Sequence, residues 1–139
     1  LTADEVRGYE LFKANNCATC HVGANLGGES YELMGLRQHY FEARGTELTE
    51  EDNGRYKQTQ DERDRHRFKV PGLRNIELTW PYYHDGTRAT MEEAVRDMAL
   101  YQCDVELDDA EVASIVAFLR TLTGEYQGQK LTSDNKQEN

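Results

Sequence analysis

The sequence has few strongly apolar residues and no long run of them. Leu, Ile, Val and Phe account for 26 of the 139 residues, a fraction that falls in the range of disordered chains. No apolar stretch approaches the ~18 residues that a membrane helix needs. Positive charge is also scarce: 16 Lys and Arg against 26 Asp and Glu give a net charge of −10, which repels nucleic-acid phosphates. We therefore expect neither membrane insertion nor nucleic-acid binding.

The apolar residues that are present are unevenly distributed. Between positions 42 and 67 only Leu48 belongs to the Leu, Ile, Val and Phe set, and after position 125 only Leu131 does. This distribution predicts a single domain over residues 1–125, interrupted by a long polar loop at about 42–67. A flexible tail without helical or strand periodicity is expected over 126–139.

Helical periodicity dominates the rest of the sequence. Capping boxes at Thr2, Thr90 and Asp108 each precede an amphipathic pattern, and the first pattern ends near Asn15. Apolar spacing predicts one further helix within 31–43. No segment alternates with a period of two residues. The predicted fold class is therefore all-α, without strands.

Three cysteines are too few for a disulfide scaffold, but two of them form Cys17-Ala18-Thr19-Cys20-His21, the attachment signature of c-type haem. Two thiols on one helical turn can add to both vinyl groups of a porphyrin, and His21 follows to bind the iron. A zinc site would need a second cysteine pair, and a redox dithiol a βαβ pattern; neither is present. We expect Cys103 to be a buried spectator thiol. Bacteria attach haem c outside the cytoplasm, which predicts a periplasmic protein.

The function of a haem protein depends on the ligand opposite His21. A firm sixth ligand makes an electron carrier, whereas an open site can bind peroxide or small gases. Met34 lies too close to the haem motif in sequence to reach the opposite face of the porphyrin. Met91 and Met98 lie far enough away and share the apolar face of one helix, and position alone does not separate them. The remaining candidates are His39, His66 and His84, of which the first reads as a surface side chain and the second as part of a solvated charged run.

Four stretches together resemble one family. Residues 17–28, Phe-Lys-Val-Pro-Gly-Leu-Arg-Asn at 68–75, Leu-Thr-Trp-Pro-Tyr-Tyr-His-Asp-Gly at 78–86 and Met-Glu-Glu-Ala-Val-Arg-Asp-Met at 91–98 are similar to the C-terminal haem domain of bacterial dihaem cytochrome c peroxidases. The resemblance covers roughly residues 1–125. It implies a class I cytochrome c-like domain in which the first and last helices cross, and Gly8 and Phe118 are suitable residues for that crossing.

The resemblance also implies a set of site residues. It favours Met98 over Met91 as the second ligand of a high-potential haem iron bound by His21. The backbone carbonyls of Thr79 and Pro81 would contribute to a calcium site between two domains. On the same hypothesis, the haem wall includes Phe68, Val70, Pro71 and Leu73, and Arg74 pairs with a propionate.

The predicted function is electron transfer. Members of the resembled family carry a second haem motif in an N-terminal domain, where peroxide is reduced, and this chain has only one motif. The chain alone should therefore be a poor peroxidase that accepts electrons from a periplasmic donor, a small cytochrome c or a copper protein, and passes them to a second haem domain. Its exposed domain face could also self-associate. The alternatives are a stand-alone monohaem carrier, a peroxidase assisted by His84 or a carboxylate, and a gas-binding protein in which Met98 is displaced.

Overall fold

The computed structural model describes residues 1–133, and most of its regular structure is helical. Five α-helices occur in this range: α1 (Ala3–Ala14), α2 (Tyr40–Arg44), α3 (Tyr56–Thr59), α4 (Met91–Cys103) and α5 (Asp109–Arg120). Short 3-10 helices span Cys17–Thr19, Glu51–Asn53, Glu62–Asp64 and Ile76–Leu78. Two antiparallel strand pairs are present, β1 (Tyr31–Leu33) with β2 (Arg67–Lys69) and β3 (Glu125–Tyr126) with β4 (Gln129–Lys130). Within the described residues, no helix is both long and apolar enough to cross a membrane.

The first and last helices cross closely at Gly8. A Cβ atom at this position would collide with the backbone carbonyl of Ser114, so only glycine allows the approach. Phe118 packs against Phe12 with ring centroids 5.5 Å apart, and Ser114 Oγ donates to Asp4 Oδ1 at 2.8 Å. The predicted crossing is therefore present, and it brings together segments that are separated by 110 positions.

The core is built around α5. Its apolar face packs against α1, against α4 and against the segment that follows β2, and all three predicted capping boxes form. The buried core consists of Phe12, Leu73, Tyr82, Met91, Ala99, Leu107, Val112, Ile115, Val116, Phe118 and Leu119. Cys17 and Ala18 pack against its edge, so the core supports the cysteine-bearing turn.

The helix predicted within 31–43 is largely wrong, and so is the expectation that the fold contains no strands. Tyr31–Leu33 pairs with β2, and only Tyr40–Arg44 is helical. The cause lies far along the chain, in the side-chain amide of Gln102. This amide accepts from the backbone N–H groups of Gly35 and Leu36 at 2.6 and 3.0 Å and donates to the Leu33 carbonyl at 2.9 Å. These bonds satisfy backbone groups that a helix would have paired locally.

Two polar segments carry more regular structure than their composition suggests. The 42–67 segment contains α3 and two 3-10 helices, and it buries Asp52 completely. Glu125 and residues 126–130 of the expected tail form the β3–β4 hairpin, which is closed by a bond from Leu131 N–H to the Gly124 carbonyl at 2.9 Å. The part of the tail at 134–139 lies outside the described residues.

Candidate haem site

One tight turn carries both attachment cysteines and His21. Helix α1 ends at Ala14, and Asn16 adopts a left-handed conformation that starts the 3-10 helix Cys17–Thr19. The backbone N–H groups of Cys20 and His21 both donate to the Cys17 carbonyl, at 3.3 and 3.1 Å. The two thiols are free and project from a single turn, as attachment to one porphyrin requires.

His21 is oriented as an iron ligand. Its Nδ1 lies 3.0 Å from the Leu26 carbonyl, an acceptor, which fixes the tautomer with the proton on Nδ1 and leaves the Nε2 lone pair for a metal. The Phe12 ring lies 6.1 Å from the imidazole, centroid to centroid. Burial lowers the pKa of His21, so the imidazole is neutral at pH 7, as ligation demands. The residues present therefore fit a haem iron.

The loop that follows His21 rests on the segment after β2. Gly27 has φ of 137°, and a Cβ there would collide with the Pro71 carbonyl. Gly28 N–H donates to the Val70 carbonyl at 2.8 Å, and Leu73 N–H donates to the Asn25 carbonyl at 2.9 Å. Three of the predicted wall residues, Val70, Pro71 and Leu73, thus lie along the His21 loop.

The fourth predicted wall residue, Phe68, and the predicted propionate partner, Arg74, lie elsewhere. Phe68 stacks on His84 with ring centroids 4.1 Å apart. Arg74 is exposed, and its guanidinium lies beside Gly124, without an ion pair among residues 1–133.

The two candidate methionines on α4 have different surroundings. Met91 is 6% exposed and belongs to the buried core. Met98 is half-buried and is not one of the buried residues that form this core. Met91 is therefore part of the core packing, whereas Met98 is not one of its buried members.

Cys103, expected to be a buried spectator thiol, is only half-buried. It lies at the end of α4, near the Cys17 thiol. The neighbouring Cys103 thiol and burial raise the pKa of Cys17, and the neighbouring Cys17 thiol lowers the pKa of Cys103. The third cysteine of the sequence therefore lies beside the first attachment thiol.

A buried ionic cluster, which we call the Asp52 cluster, was not expected from the sequence. Arg44 donates to both oxygens of Asp52 at 2.8 and 2.7 Å and to Asp85 at 2.9 Å. His84 Nε2 lies 2.7 Å from Asp52 Oδ1. The Arg44 guanidinium lowers the pKa of Asp52 well below its usual range. Asp52, His84 and Asp85 lie close enough to hold a metal ion, but the Arg44 cation already compensates both carboxylates.

Three further predicted residues have surroundings that bear on their roles. His66 is not solvated: it packs on Phe41, and its Nδ1 lies 2.6 Å from the Asp52 carbonyl. The Thr79 hydroxyl donates to the Ile76 carbonyl at 3.1 Å. Thr79 and Pro81 are both exposed.

The fold and the site define the class of protein: a Cys-x-x-Cys-His turn next to crossed terminal helices is the framework of a protein with covalently bound haem c. Residues 5–123 match the family model for cytochrome c, and the chain belongs to the cytochrome c family. Its cofactor is a covalent haem c.

Comparison with known proteins also confirms the sequence resemblance. The chain is 48% identical over 131 residues to a cytochrome c551 peroxidase of Nitrosomonas europaea, and 49% identical over 126 residues to the cytochrome c peroxidase Ccp of Escherichia coli. These matches cover 94% and 91% of this chain but only 37% and 26% of the relatives, so the chain spans about a third or less of their length.

Solved structures agree on the fold. A MauG-like protein associated with microbial copper homeostasis is 27% identical, with a TM-score of 0.69 over 88% of this chain and 44% of its own. The dihaem peroxidase BthA of Burkholderia thailandensis, solved as a variant, gives a TM-score of 0.64 at 22% identity, over 88% of this chain and 42% of its own. The second match supports the fold alone.

Proposed function

We propose that this chain transfers electrons through its haem c as the electron-accepting domain of a dihaem cytochrome c peroxidase, an enzyme that reduces hydrogen peroxide to water. The observation that carries the proposal is His21, whose Nδ1 is held by the Leu26 carbonyl at 3.0 Å so that Nε2 is the nitrogen to hold the iron, and whose pKa is lowered by burial. A rigid ligand on a packed turn keeps reorganisation small when the charge of the iron changes. The similarity to peroxidases over nearly the whole chain supplies the enzyme context.

The proposed roles of the residues follow from their chemistry. Cys17 and Cys20 hold the porphyrin covalently, and His21 with Met98 binds the iron. The haem supplies one-electron redox chemistry, and a thioether ligand favours a high potential. The segment that contains Phe68, Val70, Pro71 and Leu73 excludes water from the ring, and Arg74 compensates a propionate.

We further propose the setting of the domain. It covers residues 1–125 with 42–67 as an inserted segment, and it works in the periplasm beside a second haem domain. A small cytochrome c or copper protein is the proposed donor, and the carbonyls of Thr79 and Pro81 are a partial calcium site at the domain boundary. With its sixth position filled by Met98, the chain alone is a poor peroxidase.

The methionine-to-iron charge-transfer band of the ferric protein tests the ligand assignment. Met98→Leu keeps the side-chain volume but removes the sulfur, so we expect the band to disappear. Met91→Leu is the matched control on the same helix and should retain it. A band that survives Met98→Leu would show that another residue is the ligand.

The same preparation separates the alternative functions. A stand-alone monohaem carrier would also keep the band, but it would pass no electrons to a second haem domain. A peroxidase would show high-spin, five-coordinate ferric iron, and a gas-binding protein would bind CO rapidly when reduced. We expect low-spin ferric iron and slow CO binding.

A further inference from the structure

A groove of about 480 Å³ lies between the β1–β2 ribbon and residues 54–59. Arg55, Arg67 and Lys69 line it together with Tyr31 and Phe68, and no Asp or Glu lines it. We call this feature the basic groove. None of the residues of the Cys17–His21 turn contributes to it, so it is separate from the haem-attachment turn. It concentrates three positive charges in a chain whose net charge is −10.

The two arginines are held in place before any partner arrives. The Arg55 guanidinium lies over the Tyr31 ring at 4.5 Å, and its Nε is 3.2 Å from Asp64. Arg67 Nε donates to the Arg63 carbonyl at 2.9 Å, and its Nη1 is 3.8 Å from Glu32. Side chains that are already ordered lose less conformational entropy on binding.

The charges of the groove remain accessible. The side chains of Arg55 and Arg67 are 41% and 38% exposed, and Lys69 is exposed and makes no ion pair within residues 1–133. Exposed ion pairs of the kind formed with Asp64 and Glu32 contribute little free energy. A carboxylate from outside can therefore compete with them.

The groove adjoins the haem-bearing loop. Strand β2 ends at Lys69, the next residue is Val70, and the Val70 carbonyl accepts from Gly28 in the loop that follows His21. The Lys69 side chain itself runs beside Gly28. A protein seated in the groove is consequently next to the segment that carries the iron ligand.

We propose that the basic groove docks an acidic segment of the redox partner of this chain, a stretch of peptide with two or three neighbouring carboxylates. The proposal rests on the electron-transfer function proposed above and adds that the docking surface of the partner is negatively charged. The acidic remainder of the chain repels a partner that is acidic all over, so only a protein whose acidic segment faces the groove can dock. Charge thereby selects one orientation of the partner.

A hexaglutamate peptide is a defined probe of the groove. We expect it to bind the holoprotein at low ionic strength and to bind Arg55→Gln/Lys69→Gln at least tenfold more weakly, as measured by calorimetric titration. The control, Lys13→Gln/Arg120→Gln, removes the same charge from exposed positions on α1 and α5 and should change the affinity by less than twofold. Lys69→Glu alone reverses an exposed, unpaired charge, so its expected loss of binding cannot be attributed to unfolding.

Three outcomes would overturn docking at the groove. The first is the absence of hexaglutamate binding to the wild type, and the second is an equal loss of affinity in the control. The third is binding of inorganic phosphate as tightly as the peptide, which would make the groove a site for small anions. The methionine-to-iron band reports on the proposed function separately. Arg55→Gln/Lys69→Gln should leave this band unchanged whether or not the peptide binds.

Discussion

Asp52 is the residue whose burial is least expected from its neighbours in the sequence. It is 1% exposed, yet it lies in the segment with the fewest strongly apolar residues. Its carboxylate accepts hydrogen bonds from Arg44 and from the backbone N–H of Thr49. The same carboxylate also lies 2.7 Å from the His84 imidazole. One carboxylate thus ties the 42–67 segment to the loop that contains His84.

Asp52→Asn should be strongly destabilising. The variant leaves the buried Arg44 cation undercompensated, and breaking a buried pair in this way costs about 3–5 kcal/mol. Urea unfolding at pH 7 measures the loss. Asp61→Asn, at an aspartate whose side chain is 37% exposed and paired with Arg63, is the control and should have a much smaller effect. Similar losses in the two variants would mean that the Asp52 cluster contributes no special stability.

The pH dependence of the same variant has a defined sign. The Arg44 guanidinium lowers the pKa of Asp52 in the folded state, so its contribution to stability is present above the ordinary aspartate pKa of ~4 and is lost as the pH falls further. The stability difference between wild type and Asp52→Asn should therefore narrow below pH 4. A difference that is constant from pH 7 to pH 3 would contradict this assignment.

The α1–α5 crossing is the central contact between elements. Gly8 permits it, because any Cβ there meets the Ser114 carbonyl and the Phe118 side chain. In most helices a change from glycine to alanine is favourable by up to ~1 kcal/mol. At this position the steric conflict outweighs that gain.

We expect Gly8→Ala to destabilise the domain. Overpacking costs about 1–3 kcal/mol, and subtracting a gain of up to ~1 kcal/mol in helix propensity leaves a net loss of up to about 2 kcal/mol. The thermal unfolding midpoint measures it. Arg7→Ala, at the exposed neighbouring position on the same helix, should leave the midpoint unchanged or higher. If Gly8→Ala raises the midpoint, the crossing is looser than described.

The sequence predicts some elements well because their signals are local. A capping box followed by apolar residues at helical spacing requires only neighbours, so α1, α4 and α5 begin where the pattern places them. The cysteine-bearing turn is equally local. These elements contain the whole haem-attachment motif and the helix that carries Met98.

The structural features that the sequence patterns did not predict depend on contacts between residues far apart in the chain. Strand β1 is held by β2 and by Gln102, which lies 69 positions after Leu33. His66 reads as solvated within its charged run, but the buried Asp52 cluster and Phe41 surround it in space. No periodicity within either segment encodes such contacts, so local reasoning could not find them.

At the scale of the whole molecule, the haem compensates for the shortage of apolar residues. Within residues 1–133 the core cluster has eleven buried members, and a covalently bound haem would add a large apolar body for the helices to pack against. Stability should consequently depend on the cofactor. A group that binds only the folded state stabilises it by mass action, and covalent attachment prevents its loss.

Cys17→Ala/Cys20→Ala tests this dependence after extraction of the haem. We expect the free energy of unfolding to fall by about 4 kcal/mol or more, the contribution of a ligand present at a thousand times its Kd. Circular dichroism at 222 nm, a standard helix band, follows the transition. Cys103→Ser keeps the attachment pair and should retain most of the stability. A haem-free variant as stable as the holoprotein would show that side chains alone suffice for the core.

The crossing of α1 and α5 also determines the order in which parts of the chain can fold during synthesis. Asp4 and Ser114 bond across 110 positions, so α1 cannot make this contact until the chain has been synthesised as far as α5. Until α5 has formed, Cys17 and Ala18 lack the core against whose edge they pack. Haem can therefore be joined to the two thiols before α5 packs the attachment turn into place.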